Sequence, residues 1–433
     1  MSDIILASVP INGHVTPLLA VARHLVQRGD DVRFLTGSRF ADAVTATGAM
    51  HVSLPAEADF DDRKLRDDQD AVFPERRGLK GTRALAFDIE HVFARPGRSQ
   101  YDAVVGLLQD RPADALVTDP GFAGGALLTS TPRDRRPPVV VAGVVPLTLM
   151  SRDTAPYGTG LPPARVANRL RNRLLAAVAG RVTAGAQAYA DGIHREIHGT
   201  PMPVHILNWG VRAEAIVQFT VPEFEYPRAD APRTLRFVGP VTAAASAASL
   251  PSWWDELDGS RPVVHVTQGT FANTDFGELV APALEALAGD DVLVVVATGG
   301  RPIGALPPLT ANARAAEFLP YDSLLPKTDV YVTNGGYGGV QYALRHGVPI
   351  VTIGGQEDKP EVGARVAWSG VGVRLRTERP SSAALRRAIR KVLADDGYRI
   401  AARRIAAKAQ AAPSVAGLAA TIDELAVSER SAG

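Results

Sequence analysis

Residues 330–340 read Val-Tyr-Val-Thr-Asn-Gly-Gly-Tyr-Gly-Gly-Val, and no other stretch of this chain restricts its fold as much. Four apolar or β-branched residues, 330–333, predict a buried strand. A glycine-dense turn follows, and residues 340–345 predict a helix. A strand that ends in glycines and opens a helix presents bare backbone N–H groups at the positive end of the helix dipole, which suits phosphate. The glycines let a large anion come close and adopt backbone angles that other residues resist. The alternative is a tight strand-to-helix connection and nothing more, but so many glycines in one turn cost backbone entropy and favour the phosphate reading. The pattern is not G-x-G-x-x-G, and no Lys-Ser or Lys-Thr follows it, so neither the dinucleotide fingerprint nor the P-loop is matched.

The turn sits within a repeating rhythm. Strands are expected at 4–9, 31–36, 50–54, 115–118 and 139–145, with a helix at 15–28 whose Leu18, Leu19, Ala22, Leu25 and Val26 fall at helical spacing. Residues 57–77 mix acids and bases and read as an exposed loop holding one helix. Residues 130–138 form a polar insertion and 152–163 a long Gly/Pro-rich loop, of the kind that holds substrates. A break at 226–262, with an Ala/Ser run at 243–249, reads as a linker. The rhythm then restarts with strands at 263–267, 292–297, 316–319, 330–333 and 350–353, followed by helices at 382–393, 398–409 and 415–426. Alternation of this kind predicts an α/β protein of two similar units with parallel sheets, its ligand in the crevice at the carboxyl ends of the strands.

Composition narrows the class. The 433 residues leave room for two domains, and zero cysteines exclude disulfides, Cys-ligated zinc and thiolate catalysis. A net charge of +1 gives no reason to expect nucleic acid or an anionic membrane as partner. No apolar run reaches the ~20 residues that span a bilayer, and no basic leader precedes the first strand, so a cytoplasmic enzyme is expected.

His14 stands at the carboxyl edge of the first strand, in the turn before the first helix, within Gly13-His14-Val15-Thr16-Pro17. Histidine is the commonest general base at neutral pH. Asp119 ends the strand 115–118 at the same kind of edge and could fix the tautomer of His14. The alternative makes Asp119 a turn-starting residue before Pro120 and His14 a helix-entry residue. Gln268-Gly269-Thr270 also follows a strand and could donate to the same phosphates. Residues 354–361, Gly-Gly-Gln-Glu-Asp-Lys-Pro-Glu, suit hydroxyl recognition on a sugar, or form a solvated charged loop. Asp59-Phe60-Asp61 and Asp68-Gln69-Asp70 have D-x-D spacing but lie in a charge-rich loop expected to be remote from the phosphate turn, so no metal site is assigned. Neither H-E-x-x-H nor Gly-x-Ser-x-Gly occurs.

With Thr118-Asp119-Pro120, Phe318-Leu319-Pro320-Tyr321, residues 333–339, Ala343-Leu344-Arg345-His346-Gly347-Val348-Pro349, Asp358-Lys359-Pro360 and Gly363-Ala364-Arg365, the chain resembles nucleotide-sugar-dependent glycosyltransferases of the UDP-glycosyltransferase superfamily, in particular bacterial members that decorate natural products. The resemblance runs nearly end to end. It implies the GT-B fold of two facing Rossmann-like domains: an acceptor domain at 1–230, a donor domain at 240–412, and a C-terminal helix in 413–433 packing back on the first. It also implies an inverting transfer without metal or tightly bound cofactor, from a UDP- or dTDP-sugar to a small acceptor, in a monomer or homodimer. His14 would be the base and Asp119 its partner. Thr270, Asn334, Gly335, Gly336, Tyr337, Gly338, Gly339 and Val340 would hold the diphosphate. Phe318, Leu319, Tyr321 and Tyr342 would meet base and ribose, and Asp358 and Lys359 the sugar. Phe73, Phe87, Phe93, Leu147, Leu149 and Met150 would line an apolar acceptor pocket, or belong to the core.

The chain departs from the family pattern at five of these positions. Asn334 replaces the usual His, Phe318 a frequent Trp, Tyr321 a Gln, Tyr342 the Glu that grips the ribose diol, and Lys359 a Gln. Tyr342 cannot accept two hydrogen bonds as a carboxylate does. A deoxyribose would not need it to, which tilts the expectation toward dTDP-sugars. A sugar-nucleotide epimerase and a non-catalytic nucleotide-binding protein are the competing GT-B readings.

Overall fold

Two parallel sheets organise the chain. The computed structural model describes residues 1–67, 72–164, 166–242, 250–271, 273–355 and 358–430. The first sheet contains β1 (Asp3–Ala7), β2 (Asp31–Thr36), β3 (Met50–Ser53), β4 (Ala115–Thr118), β5 (Val139–Gly143), β6 (Ala215–Gln218) and β7 (Leu235–Phe237) in the order β3-β2-β1-β4-β5-β6-β7. The second contains β8 (Val263–Thr267), β9 (Leu293–Ala297), β10 (Ala313–Ala316), β11 (Val330–Thr333), β12 (Ile350–Thr352) and β13 (Gly372–Arg374) in the order β10-β9-β8-β11-β12-β13. Parallel strands are covered on both faces, so they read as continuous apolar runs. In β1, Ile4 and Leu6 enter one core cluster and Ile5 and Ala7 the other, as side-chain alternation requires.

In each sheet the strand order reverses beside the first strand of the unit, at β1/β4 and at β8/β11. Loops leaving such neighbours diverge and open a crevice. The C-terminal helix, Val415–Arg430, places Leu418, Ala419 and Ile422 in the cluster of Leu18, Val21 and Leu25, on the first sheet. Arg28 pairs with Asp423 at 2.9 Å, and Arg236 donates to Glu424 at 3.0 Å.

Several expected boundaries move. The strand expected at 316–319 lies at Ala313–Ala316, which leaves Phe318 beyond the sheet. β6, β7 and β13 are four, three and three residues long and carry too little pattern to be read from sequence. β7 lies beyond residue 230 and within the stretch expected to be linker, yet pairs with β6 in the first sheet. The run 243–249 lies outside the described residues.

Candidate active site

His14 lies in the first turn of helix Asn12–Gln27, slightly later than expected, because the helix opens at Asn12. Asp119 follows β4, the sheet neighbour of β1, so both residues reach the same edge. His14 Nδ1 and Asp119 Oδ1 are 2.9 Å apart. Asp119 is fully buried, and its carboxylate also accepts from Val9 N at 2.9 Å and Gly121 N at 2.7 Å. Three donors therefore converge on this one carboxylate. A carboxylate can only accept, so His14 Nδ1 carries the proton and Nε2 is left as the accepting nitrogen. Phe93 lies 6.2 Å from the imidazole, ring to ring, brought there by a π-helical turn, Ile89–Ala94. Such turns recur at functional sites, and nothing in the periodicity announced this one.

The glycine turn joins β11 to helix Tyr337–Arg345. Gly335 has φ +96°, closed to most side chains, and its N–H donates to Thr333 Oγ1 at 3.2 Å. A Cβ on Gly336 or Gly338 would meet nothing within 4 Å, so the mouth of the helix is open there. Gly339 is different: a Cβ would come within 2.5 Å of the Tyr331 hydroxyl, so its small size serves packing. Two of the residues expected at the phosphate have bonds within the chain. Val340 N bonds Gly336 O at 3.1 Å, closing the first helical turn, and its side chain is buried. Asn334 Nδ2 donates to Gln268 O at 2.6 Å, tying the loop after β11 to the loop after β8. Tyr337 buries its ring, and its hydroxyl accepts from Gln218 Nε2 at 3.1 Å, at the end of β6 in the other sheet.

The two edges face each other. Asn12 Nδ2 donates to Thr270 Oγ1 at 3.1 Å across the crevice. Beside this contact lies a cavity of about 260 Å³, with Asn12, Arg39, Asp62 and Arg63 on one wall and Thr270, Gly300 and Phe318 on the other. Phe318 is 58% exposed, and Gly300, at φ +89°, lets its ring lie close: a Cβ there would sit 2.7 Å from Phe318 Cζ. Leu319 is buried. The charge-rich loop thus borders the crevice through Asp62 and Arg63, on a wall that no residue of the glycine turn 334–340 shares. Its carboxylates are engaged by the chain itself. Asp59 accepts from Ser38 N, Asp61 pairs with Arg63 at 2.7 Å, and Asp62 pairs with Arg39 and accepts from Asn12 N at 2.8 Å. Asp68 and Asp70 lie outside the described residues. Among the described residues no three His, Cys, Asp or Glu gather to hold a metal ion.

Tyr321 turns away from the crevice. Burial pushes the His265 imidazole down to about 4, and its Nδ1 lies 2.8 Å from Val295 O. A carbonyl only accepts, so neutral His265 donates from Nδ1, and its Nε2 accepts from the Tyr321 hydroxyl at 3.1 Å. Tyr342 packs edge-on to Tyr321 at 5.5 Å. Asp358 precedes helix Lys359–Trp368, and Lys359 is buried with its stem against Gly335 and Gly354. Gln356 and Glu357 lie outside the described residues.

Of the expected acceptor-side residues, Phe93 places its ring beside His14. Phe87 stacks on His91 at 3.7 Å, with Phe73 edge-on to Phe87 at 6.0 Å. Leu147 and Leu149 belong to the core and border a water-sized cavity of about 20 Å³ beside Pro120 and Trp209. Met150 is exposed. An H-x-x-x-H pair, which the sequence reading takes to be absent, does occur: His194 and His198 stand i, i+4 on helix Ala184–His198, as paired metal ligands often do. Their nitrogens are within bonding distance of Thr200 O, Ser130 Oγ and Leu127 O. No helix among the described residues is long and apolar enough to cross a membrane.

Comparison with known proteins agrees with this arrangement. A family model described as "Erythromycin biosynthesis protein CIII-like, C-terminal domain" matches residues 281–425. The chain is 42% identical to the 4'-demethylrebeccamycin synthase of Lentzea aerocolonigenes, over 93% of this chain and 94% of that protein. It is 35% identical to UDP-glycosyltransferase 2 of Phaeomoniella chlamydospora, over 98% and 95%. In fold it is similar to the spinosyn rhamnosyltransferase SpnG solved with thymidine diphosphate, with a TM-score of 0.69, 19% identity, and coverage of 97% and 100%. Two facing parallel sheets with the His14–Asp119 pair across from a glycine-lined helix mouth, together with these relatives, make the chain a glycosyltransferase of GT-B fold that belongs to the UDP-glycosyltransferase family.

Proposed function

We propose that this glycosyltransferase moves a sugar, with inversion, from a UDP- or dTDP-sugar to a hydroxyl or similar nucleophile of a small, largely apolar natural product. The observation that carries the reading is His14: Asp119 engages its Nδ1 at 2.9 Å and leaves Nε2 to accept a proton at the crevice edge. The acceptor oxygen attacks the anomeric carbon from the face opposite the nucleotide, and its proton passes to Nε2. The bond from the anomeric carbon to the phosphate oxygen breaks, and its electron pair leaves on the diphosphate. Developing negative charge meets the amides of residues 336–339 at the helix mouth, where the dipole stabilises it. Phe318 is the surface on which the base stacks.

With Tyr321 bonded to His265 and no carboxylate at Tyr342, the ribose site offers nothing that requires a 2′-hydroxyl. This favours a deoxynucleotide, and the thymidine diphosphate held by SpnG supports the same choice. The acceptor unit runs from residue 1 through β7 and is completed by helix Val415–Arg430. The donor unit runs from β8 through helix Asp396–Ala411.

The test is thermal stabilisation by UDP, dTDP, GDP and NAD, each alone at equal concentration. A ligand at a hundred times its Kd adds ~2.7 kcal/mol to the folded state. Stabilisation by dTDP or UDP and not by NAD is expected, followed by transfer to apolar aglycones that His14→Ala abolishes. Stabilisation by neither nucleotide, or transfer surviving in His14→Ala, would overturn the reading.

A further inference from the structure

The loop at 152–163 belongs to the first unit, yet it is held by the second. Gly160 N donates to Glu361 Oε1 at 2.7 Å, and Gly160 O accepts from Arg374 at 2.8 Å. Both backbone groups of one residue are thus gripped by side chains from the other side of the crevice. Gly160 has φ +57°, and a Cβ there would lie 2.8 Å from Pro360 O and 2.9 Å from Arg374. The close approach therefore requires glycine.

Glu361 is a branch point. Its Oε2 accepts from Arg365 at 2.8 Å, and Arg365 donates to Glu225 at 2.9 and 3.0 Å. Glu225 in turn accepts from Leu147 N at 3.0 Å, in the other acceptor-side loop. Glu361, Arg365 and Glu225 are all nearly fully buried, so the ties are sheltered from solvent. Apart from the Arg374 bond, which comes from β13, they converge on helix Lys359–Trp368, whose first residue lays its stem along Gly335 and Gly354. The helix therefore touches the glycine turn at one end, reaches the 152–163 loop through Glu361, and reaches the Leu147 loop through Arg365 and then Glu225.

We propose that Glu361 and Gly160 are positioning residues that make the placement of the acceptor-side loop depend on nucleotide occupancy of the glycine turn. The inference rests on the donor-site reading above. A ligand that orders the start of helix Lys359–Trp368 lowers the chance that its first turn opens. That turn carries Glu361, so the Gly160 amide opens less often too. The consequence is an acceptor site completed only when the donor is present.

The test is hydrogen exchange of residues 156–163 with and without saturating UDP or dTDP, in the wild type, Gly160→Ala and Glu361→Gln. Melting temperatures on the same samples report nucleotide binding and folding. The nucleotide should slow exchange in the wild-type loop about tenfold. In both variants it should still raise the melting temperature but leave loop exchange unchanged. Should Glu361→Gln fail to fold, Gly160→Ala, which leaves the buried ion network intact, carries the test alone. Wild-type loop exchange that ignores a bound nucleotide would overturn the coupling while leaving the donor site standing, as would coupling that survives Gly160→Ala. A wild type whose melting temperature responds to neither nucleotide would overturn the donor site and the coupling with it.

Discussion

Asp119→Asn removes one charge and exchanges one oxygen for an NH₂ group, at a position where three donors already converge. The amide has two placements. In one, its oxygen keeps His14 and Gly121, and its NH₂ faces the Val9 N–H that now sits 2.9 Å from Oδ2. Two buried donors then oppose each other, at a cost of about 1–3 kcal/mol in stability. The imidazolium formed in the transition state also loses its counter-charge. In the other, the NH₂ faces His14 Nδ1 and the Gly121 N–H, 2.9 and 2.7 Å from Oδ1. Nδ1 must then accept, the proton moves to Nε2, and the base is lost. Either placement removes transition-state stabilisation, and we expect kcat to fall by about 10²–10⁴, or ~3–5 kcal/mol. The assay is the initial rate of transfer at saturating donor and acceptor, with nucleotide affinity measured on the same preparation. That affinity should hold, because the glycine turn lies on the other sheet. A variant that keeps kcat within about threefold of the wild type would refute both the tautomer argument and the assignment of His14 as base.

Phe318→Ala removes an exposed ring whose stacking on a base is worth about 1–3 kcal/mol, so the Kd for UDP or dTDP should rise roughly 5- to 150-fold in titration calorimetry with little change in melting temperature. Unchanged affinity would exclude Phe318 as the stacking surface. Burial holds His265 neutral, at about 4 against 6.5 for an exposed imidazole. Its contribution is therefore complete above pH 6.5 and is lost as the pH falls toward 4, a decline of ~3 kcal/mol that denaturant titrations across that window should record and His265→Gln should flatten. Burial pushes the Glu225 carboxyl up, but the charges of Arg365 and Arg228 outweigh it and hold it below the usual carboxylate range. Stability from this group is complete above the ordinary glutamate value of 4.5 and is lost as the pH falls through the lowered one. Glu225→Gln leaves Arg365 short of one buried partner and should cost about 3–5 kcal/mol in denaturant unfolding at neutral pH, whereas a loss under ~1 kcal/mol would mean that Glu361 alone satisfies the guanidinium.

How much of this was legible depends on how local each cause is. Strand β11 could be read to the residue because a strand covered on both faces needs a continuous apolar or β-branched run, and 330–333 supply one; β2 also falls at the expected 31–36, although the buried Arg33 interrupts its apolar run. The three-residue β7 and β13 cannot display any period, and only pairing with β6 and β12 makes them strands. His14 and Asp119 are 105 residues apart, yet their meeting was within reach, because both were placed at carboxyl edges of one sheet. What could not be read is where a side chain turns once a distant partner competes for it. Tyr321 stands in the right motif for a nucleotide contact, but its hydroxyl is claimed by His265, 56 residues earlier in the chain. Asn334 stands where the family usually has His, among the residues expected to hold the diphosphate. The structure gives it a different task, since its amide ties the loop after β11 to the loop after β8. The same holds between the units: Gln218 reaches Tyr337 across 119 residues and Glu361 reaches Gly160 across 201. Motifs in this chain therefore mark which loops approach the crevice, while distant partners, in the same unit or the opposite one, decide which groups in those loops remain for a ligand. That division explains why the helix mouth at Gly336 and Gly338 stays open, although its neighbours Asn334, Tyr337 and Val340 have bonds of their own.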